Sequence, residues 1–324
     1  MKKIIYLAIG VVLCIATIAT GTYGLSDRNI EIYQKALGMV EEMEESTFTG
    51  YELSQFPVAF YDGDHDYVVT GSAKDYQIAK RKPVMDAFVG TAYYVDNHYE
   101  VLMPTVEKFN KMFELLNTVQ SASKEAMKDN SFDEMNYGDE EHIATMYHEG
   151  FHAYQMTNYE ENIVKGLQGK NFGEDGLSEQ MIVDSVDNNP DVVKKYEEQL
   201  ALLKKMVLSD SIDEIKKDLG QYKKLEEERK AMLSSDVLIL EEYYEKVEGT
   251  AYYVESTAYK MVHTEEEYNA YYIDSVDKFT EGSHKYYNMG MAKCRILDKL
   301  IPDWKENYDF STSLAELLYG QMEH

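Results

Sequence analysis

From Asp139 onward the chain is punctuated almost entirely by helix-start signals, and no other feature constrains its fold as strongly. Asp139, Glu140 and Glu141 stand where a first helical turn favours negative charge. Asn189-Pro190 is an N-cap followed by proline at the first helical position. Ser211-x-x-Glu214, Thr264-x-x-Glu267 and Ser313-x-x-Glu316 are capping boxes. Only five prolines interrupt 324 residues. The pattern predicts helices over 139–157, 190–208, 211–233, 236–262, 265–281, 283–299 and 312–321. The segments 190–208 and 211–233 are highly charged and joined by a very short turn. They are expected to form an antiparallel hairpin that protrudes.

The N-terminal third differs. A first helix is predicted over 27–46, apolar at Ile30, Tyr33, Ala36, Leu37 and Val40. Residues 50–101 are rich in Val, Tyr and Phe and broken by Asp-Gly and Asn, which predicts a few strands. Pro104 is read as opening a helix to Val119, followed by a polar loop over 120–137. The expected fold class is therefore mostly α with a small N-terminal α+β part. The expected organisation is 1–24, 25–137 and 138–324. The hexapeptide GTAYYV occurs at 90–95 and again at 249–254, expected once as strand and once as helix.

Met1-Lys2-Lys3 precedes a sixteen-residue apolar run, Ile4–Ala19. A charged start before a short apolar stretch reads as an export signal, either cleaved near Ala19, Gly21 or Gly24 or retained as an anchor. The expected location is extracytoplasmic, with membrane contact only through that segment. Cys14 lies inside it behind Leu13, so a lipoprotein signal is disfavoured. Cys294, the other of two cysteines, is expected as a buried small hydrophobe. The formal charge of −27 excludes nucleic acid as a partner, because phosphates would be repelled. Hydrophobic residues at 44% suit a folded domain.

The chemistry concentrates in HIATMYHEGFHAYQ, 142–155. His148-Glu149-x-x-His152 puts two imidazoles on one helix face, within reach of one Zn²⁺. Glu149 stands beside the open coordination position, where it can take a proton from water. Ala144, Met146, Tyr147, Phe151 and Tyr154 make this helix largely apolar, and burying two His and a Glu there is costly unless they bind something. Asn158 stands six residues after His152, so the HExxHxxGxxH pattern is excluded. A third ligand is sought in EEYYEKVEGTAYYVES, 241–256, where Glu241, Glu245, Glu248, Tyr252 and Glu255 recur along one helix face. His142 falls off the ligand face, and His65, His98, His263 and His324 show no ligand spacing.

HEGFH followed by VEGTAYYVE resembles the gluzincin zinc metallopeptidases, whose second helix often carries a Glu-Gly-x-Ala-x-Tyr signature. The resemblance covers these two helices only. It implies a zincin-like catalytic domain in which His148, His152 and Glu248 hold Zn²⁺ and Glu149 is general base. The 96 residues between His152 and Glu248 far exceed the compact gluzincin spacing. Glu245 and Glu255 therefore remain alternatives, and Glu255 otherwise fits as the carboxylate that orients a ligand His. Gluzincins stabilise the oxyanion with a Tyr or His from a later helix, here Tyr287 or His284. The Gly-x-Met-Glu-Asn signature of the aminopeptidases is missing, which favours an endopeptidase acting on a peptide or protein held along an edge strand within 86–101. The competing expectations are a surface-attached binding or assembly protein with a structural or vestigial zinc site, and a zinc hydrolase of a non-peptide substrate.

Overall fold

The computed structural model describes residues 24–123, 137–173 and 176–322, without the side chains of 115–123. The expected export signal and His324 lie outside the described residues. Within them no helix is long and apolar enough to cross a membrane.

The chain is mostly helical with a small N-terminal sheet. The expected first helix is two, α1 (Asp27–Leu37) and α2 (Val40–Ser46). Tyr147 donates its hydroxyl to the Ala36 carbonyl at 2.7 Å, and Met39 N–H takes the same carbonyl in a tighter i→i+3 turn. The regular helical ladder therefore stops at Gly38. The strands β1 (Val58–Tyr61), β2 (Asp66–Gly71), β3 (Tyr76–Arg81), β4 (Thr91–Val95) and β5 (His98–Pro104) make one sheet in the order β3-β2-β1-β5-β4. β1 and β5 are parallel and the other neighbours antiparallel. Asp96 and Asn97, both at positive φ (47° and 69°), close the two-residue β4–β5 turn. The stretch 86–101 is thus not one strand but β4, an edge strand, and the start of β5.

One sheet face buries Val58, Phe60, Val101 and Met103 in the main core. The other face, at Ala59, Tyr61 and Leu102, is covered by Val84, Met85 and Ala87 of the β3–β4 connection. Pro104 ends β5 rather than opening a helix, and Thr105 caps α3 (Val106–Ser123) by accepting from Lys108 N–H at 3.2 Å.

Helix α4 (Asp139–Gly166) outruns its expected end at 157. It packs on the sheet and on α8 (Ser235–Val262), and the short α5 (Glu179–Ile182) follows it. The hairpin of α6 (Pro190–Leu208) and α7 (Ile212–Lys230) forms as expected but does not protrude. Val192, Tyr196, Leu200, Leu203 and Val207 on α6, with Ile215, Leu219 and Tyr222 on α7, are all buried. The expected helix 265–281 is only α9 (Glu265–Tyr268), which widens into a π turn at Asn269–Ile273. α10 (His284–Leu300) and α11 (Leu314–Tyr319) follow. α8 is buried on nearly every side, and a Cβ on Gly249 would meet Gly290 Cα of α10 at 2.5 Å. The two helices cross backbone to backbone there, and only glycine fits. The GTAYYV copies are indeed one strand, β4, and one helix, α8.

Candidate metal centre

α4 and α8 bring His148, His152 and Glu248 together, and these are the only described residues whose ligand atoms converge in this way. The two histidines share a face of α4 because four residues separate them. Glu248 reaches them from α8, almost fully buried. His148 Nε2 and His152 Nε2 lie 3.0 Å apart, and Glu248 Oε2 is 3.1 Å from the second and 3.4 Å from the first. Ligand atoms about 2.0–2.1 Å from a tetrahedral Zn²⁺ stand roughly 3.3 Å from one another, so the three atoms already have the spacing of such a coordination face.

The electrostatics lead to the same point. Two imidazole nitrogens and a carboxylate oxygen packed at this distance need a shared positive charge, a proton or a cation. Burial opposes the charging of His148 and His152, yet Glu248 beside both, with Glu255 beside His148, raises their pKa values above the ordinary histidine range. Burial also opposes ionisation of Glu248, and the two histidines overcome it and hold its pKa far below the usual carboxylate range. Its second oxygen, Oε1, is buried without a hydrogen-bond partner. A divalent cation fits this donor set.

The far edges of the rings are held as well. His148 Nδ1 faces Glu255 Oε2 at 2.7 Å, and Glu255 accepts at its other oxygen from Tyr272 Oη at 2.8 Å. His152 Nδ1 meets Gln155 Oε1 at 2.8 Å. Glu149 is half-buried beside the pair, and burial pushes its carboxyl above the ordinary range against the pull of His148 and His152. Gly90, at the entrance to β4, makes room for it, since a Cβ there would stand 2.8 Å from Glu149 Cγ.

The first turn of α10 supplies the opposite wall. The Tyr287 ring stacks 6.4 Å from His148, and His284 lies 5.3 Å from Tyr287, ring to ring. Burial, with Glu248 nearby, keeps the Tyr287 hydroxyl protonated far above neutrality. His284 is exposed, with its ring against Tyr252 and Tyr287, and desolvation lowers its pKa against the field of Glu255.

The alternative ligand Glu245 is not at the centre. It pairs with the buried Lys293 of α10, while Glu241 pairs with Arg229 of α7. The stripe on α8 is real, but its two N-terminal glutamates are spent on ion pairs. Glu255 touches His148 from behind, at Nδ1. His142 is buried against Tyr137 Oη at 3.0 Å, and burial lowers its pKa to about 4. His98 pairs with Glu100, and His263 lies between Glu141 and Glu267. Gln155 and Tyr272 were not singled out from sequence. Gln155, a buried polar residue three after His152 on an apolar helix, carried a local signal. Tyr272, one tyrosine among 28, carried none. Against known proteins, the chain matches no family model, no curated protein and no solved structure.

Proposed function

We propose that the protein is an exported, zinc-dependent metallopeptidase of gluzincin type with a zincin-like catalytic region. The observation that carries this reading is the convergence of His148 Nε2, His152 Nε2 and Glu248 Oε2 at 3.0–3.4 Å beside a raised, half-buried Glu149. Among the described residues no fourth His, Cys, Asp or Glu joins the three, which favours an open position over a closed structural site. Zn²⁺ held there would act as a Lewis acid and make water a nucleophile near neutral pH.

The chain's own residues do the rest. Glu149 takes the proton from the attacking water and passes it to the leaving amine, a role suited to a carboxyl raised toward neutrality. Tyr287, protonated at working pH, or His284 donates a hydrogen bond to the developing oxyanion. β4, the edge strand of the described sheet and next to Glu149 through Gly90, can pair with an extended peptide main chain. Replacing Glu149 with Gln tests the mechanism. Peptide-bond hydrolysis should fall by about 10²–10⁴-fold with zinc still bound. Full peptidase activity in Glu149→Gln would refute it.

A further inference from the structure

Gln155 is fully buried, and every hydrogen-bonding atom of its amide has a partner. Its Nε2 donates to the Val247 carbonyl and to Thr250 Oγ1, both at 2.9 Å. Thr250 Oγ1 donates its one proton to the Lys246 carbonyl at 2.7 Å, so toward Gln155 it can only accept. The amide therefore has one workable orientation. Flipped, its oxygen would face the Val247 carbonyl, acceptor against acceptor. In the satisfied orientation Oε1 faces His152 Nδ1, and an amide oxygen can only accept. The proton on the neutral His152 ring must then sit on Nδ1.

We infer that Gln155 is a positioning residue that locks the neutral His152 ring as the Nδ1–H tautomer, so that its lone pair is kept on Nε2, the nitrogen that faces the metal centre. The lock begins at the α8 backbone and runs Lys246 C=O, Thr250 hydroxyl, Gln155 amide, His152 ring. Val247 and Thr250 flank Glu248 in sequence, so the same bonds tie one ligand on α4 to the helix that carries another. A preset tautomer and a preset spacing both reduce what must reorganise on metal binding. The purpose of the lock rests on the metal-centre reading; its geometry does not.

The test uses the full chain, stripped of metal, with ¹⁵N-labelled histidine. The His152 signals are assigned by their loss in His152→Ala. At a pH where the ring is neutral, the wild type should show Nδ1 protonated and Nε2 bare. Gln155→Leu should return His152 to the Nε2–H form that an unconstrained imidazole favours. It should also weaken zinc binding by about 10–100-fold in chelator competition, with the thermal melt as a control for folding. An Nε2–H tautomer in the wild type overturns the inference, whether or not the variants fold. So does a folded Gln155→Leu with unchanged tautomer and unchanged zinc affinity. A wild type that shows the Gln155-dependent tautomer but binds no zinc would leave the lock standing and remove the metallopeptidase reading.

Discussion

Helix α8 carries two buried clusters of glutamates, and they are solved in opposite ways. At its N-terminal half Glu241 takes both arms of Arg229, whose guanidinium also lies 4.0 Å over the Tyr196 ring and donates to Gln199 at 2.6 Å. Glu245 takes Lys293. Each carboxylate has a permanent cation supplied by the chain. Three residues past Glu245, Glu248 has none, and faces two imidazole nitrogens instead. A buried carboxylate is costly unless paired. The closed cluster meets that cost from within and fastens the α6–α7 hairpin to the core. The open cluster has no such cation from the chain, and on the proposed reading a bound metal ion supplies it.

The largest expected effect breaks the closed side. Arg229→Met leaves Glu241 buried without a cation and should cost about 3–5 kcal/mol in denaturant unfolding, while the folded fraction still takes up zinc. The pH dependence has a definite sign. Burial opposes ionisation of Glu241, and Arg229 nevertheless holds its pKa down to about 2. The stabilisation is complete above the unfolded value of about 4.3 and is lost as pH falls toward the folded one. In Arg229→Met the stability curve should lose that acid-side slope.

The open side should respond to metal instead. Free zinc at a hundredfold excess over its Kd should add about 2.7 kcal/mol of stability, and chelation should remove it. A melting temperature indifferent to zinc would place the two clusters in the same class. Gly290→Ala forces a Cβ to 2.3 Å from the Glu245 carbonyl at the α8–α10 crossing. It should cost about 1–3 kcal/mol in thermal unfolding, because packed backbone cannot give way. The smallest change sharpens the comparison. Tyr272→Phe removes one hydrogen bond to Glu255, and should weaken zinc by about tenfold or less in chelator competition and cost about 0.5–1.5 kcal/mol in the melt of the metal-free chain.

What could be read from the sequence follows from how far apart the deciding residues lie. His148, Glu149 and His152 are fixed by the period of one helix. Glu248 was reachable through Glu-Gly, and the structure adds the reason for the glycine, the backbone contact with Gly290. The strands of 50–101 and the long helices after 139 were legible from their patterns and caps, whereas α5 was not expected and 265–281 was read as one helix. The docking of the hairpin was not. Its many charges masked Val192, Tyr196, Leu200, Leu203 and Val207, which recur at helical spacing and are buried. The split at Gly38 depends on a hydroxyl from Tyr147, over a hundred residues away. The π turn that delivers Tyr272 to Glu255 has no local signal. Equally, nothing in the spacing told Glu245 from Glu248, since their difference is made by Lys293 on another helix.

On the proposed function Glu248, not Glu245, completes a three-residue zinc site. Metal content of the purified chain, measured in parallel for wild type, Glu248→Ala and Glu245→Ala, tests it most directly. One zinc per chain in the wild type and in Glu245→Ala, and none in Glu248→Ala, is the predicted result. Zinc retained in Glu248→Ala, or absent from the wild type, would contradict it.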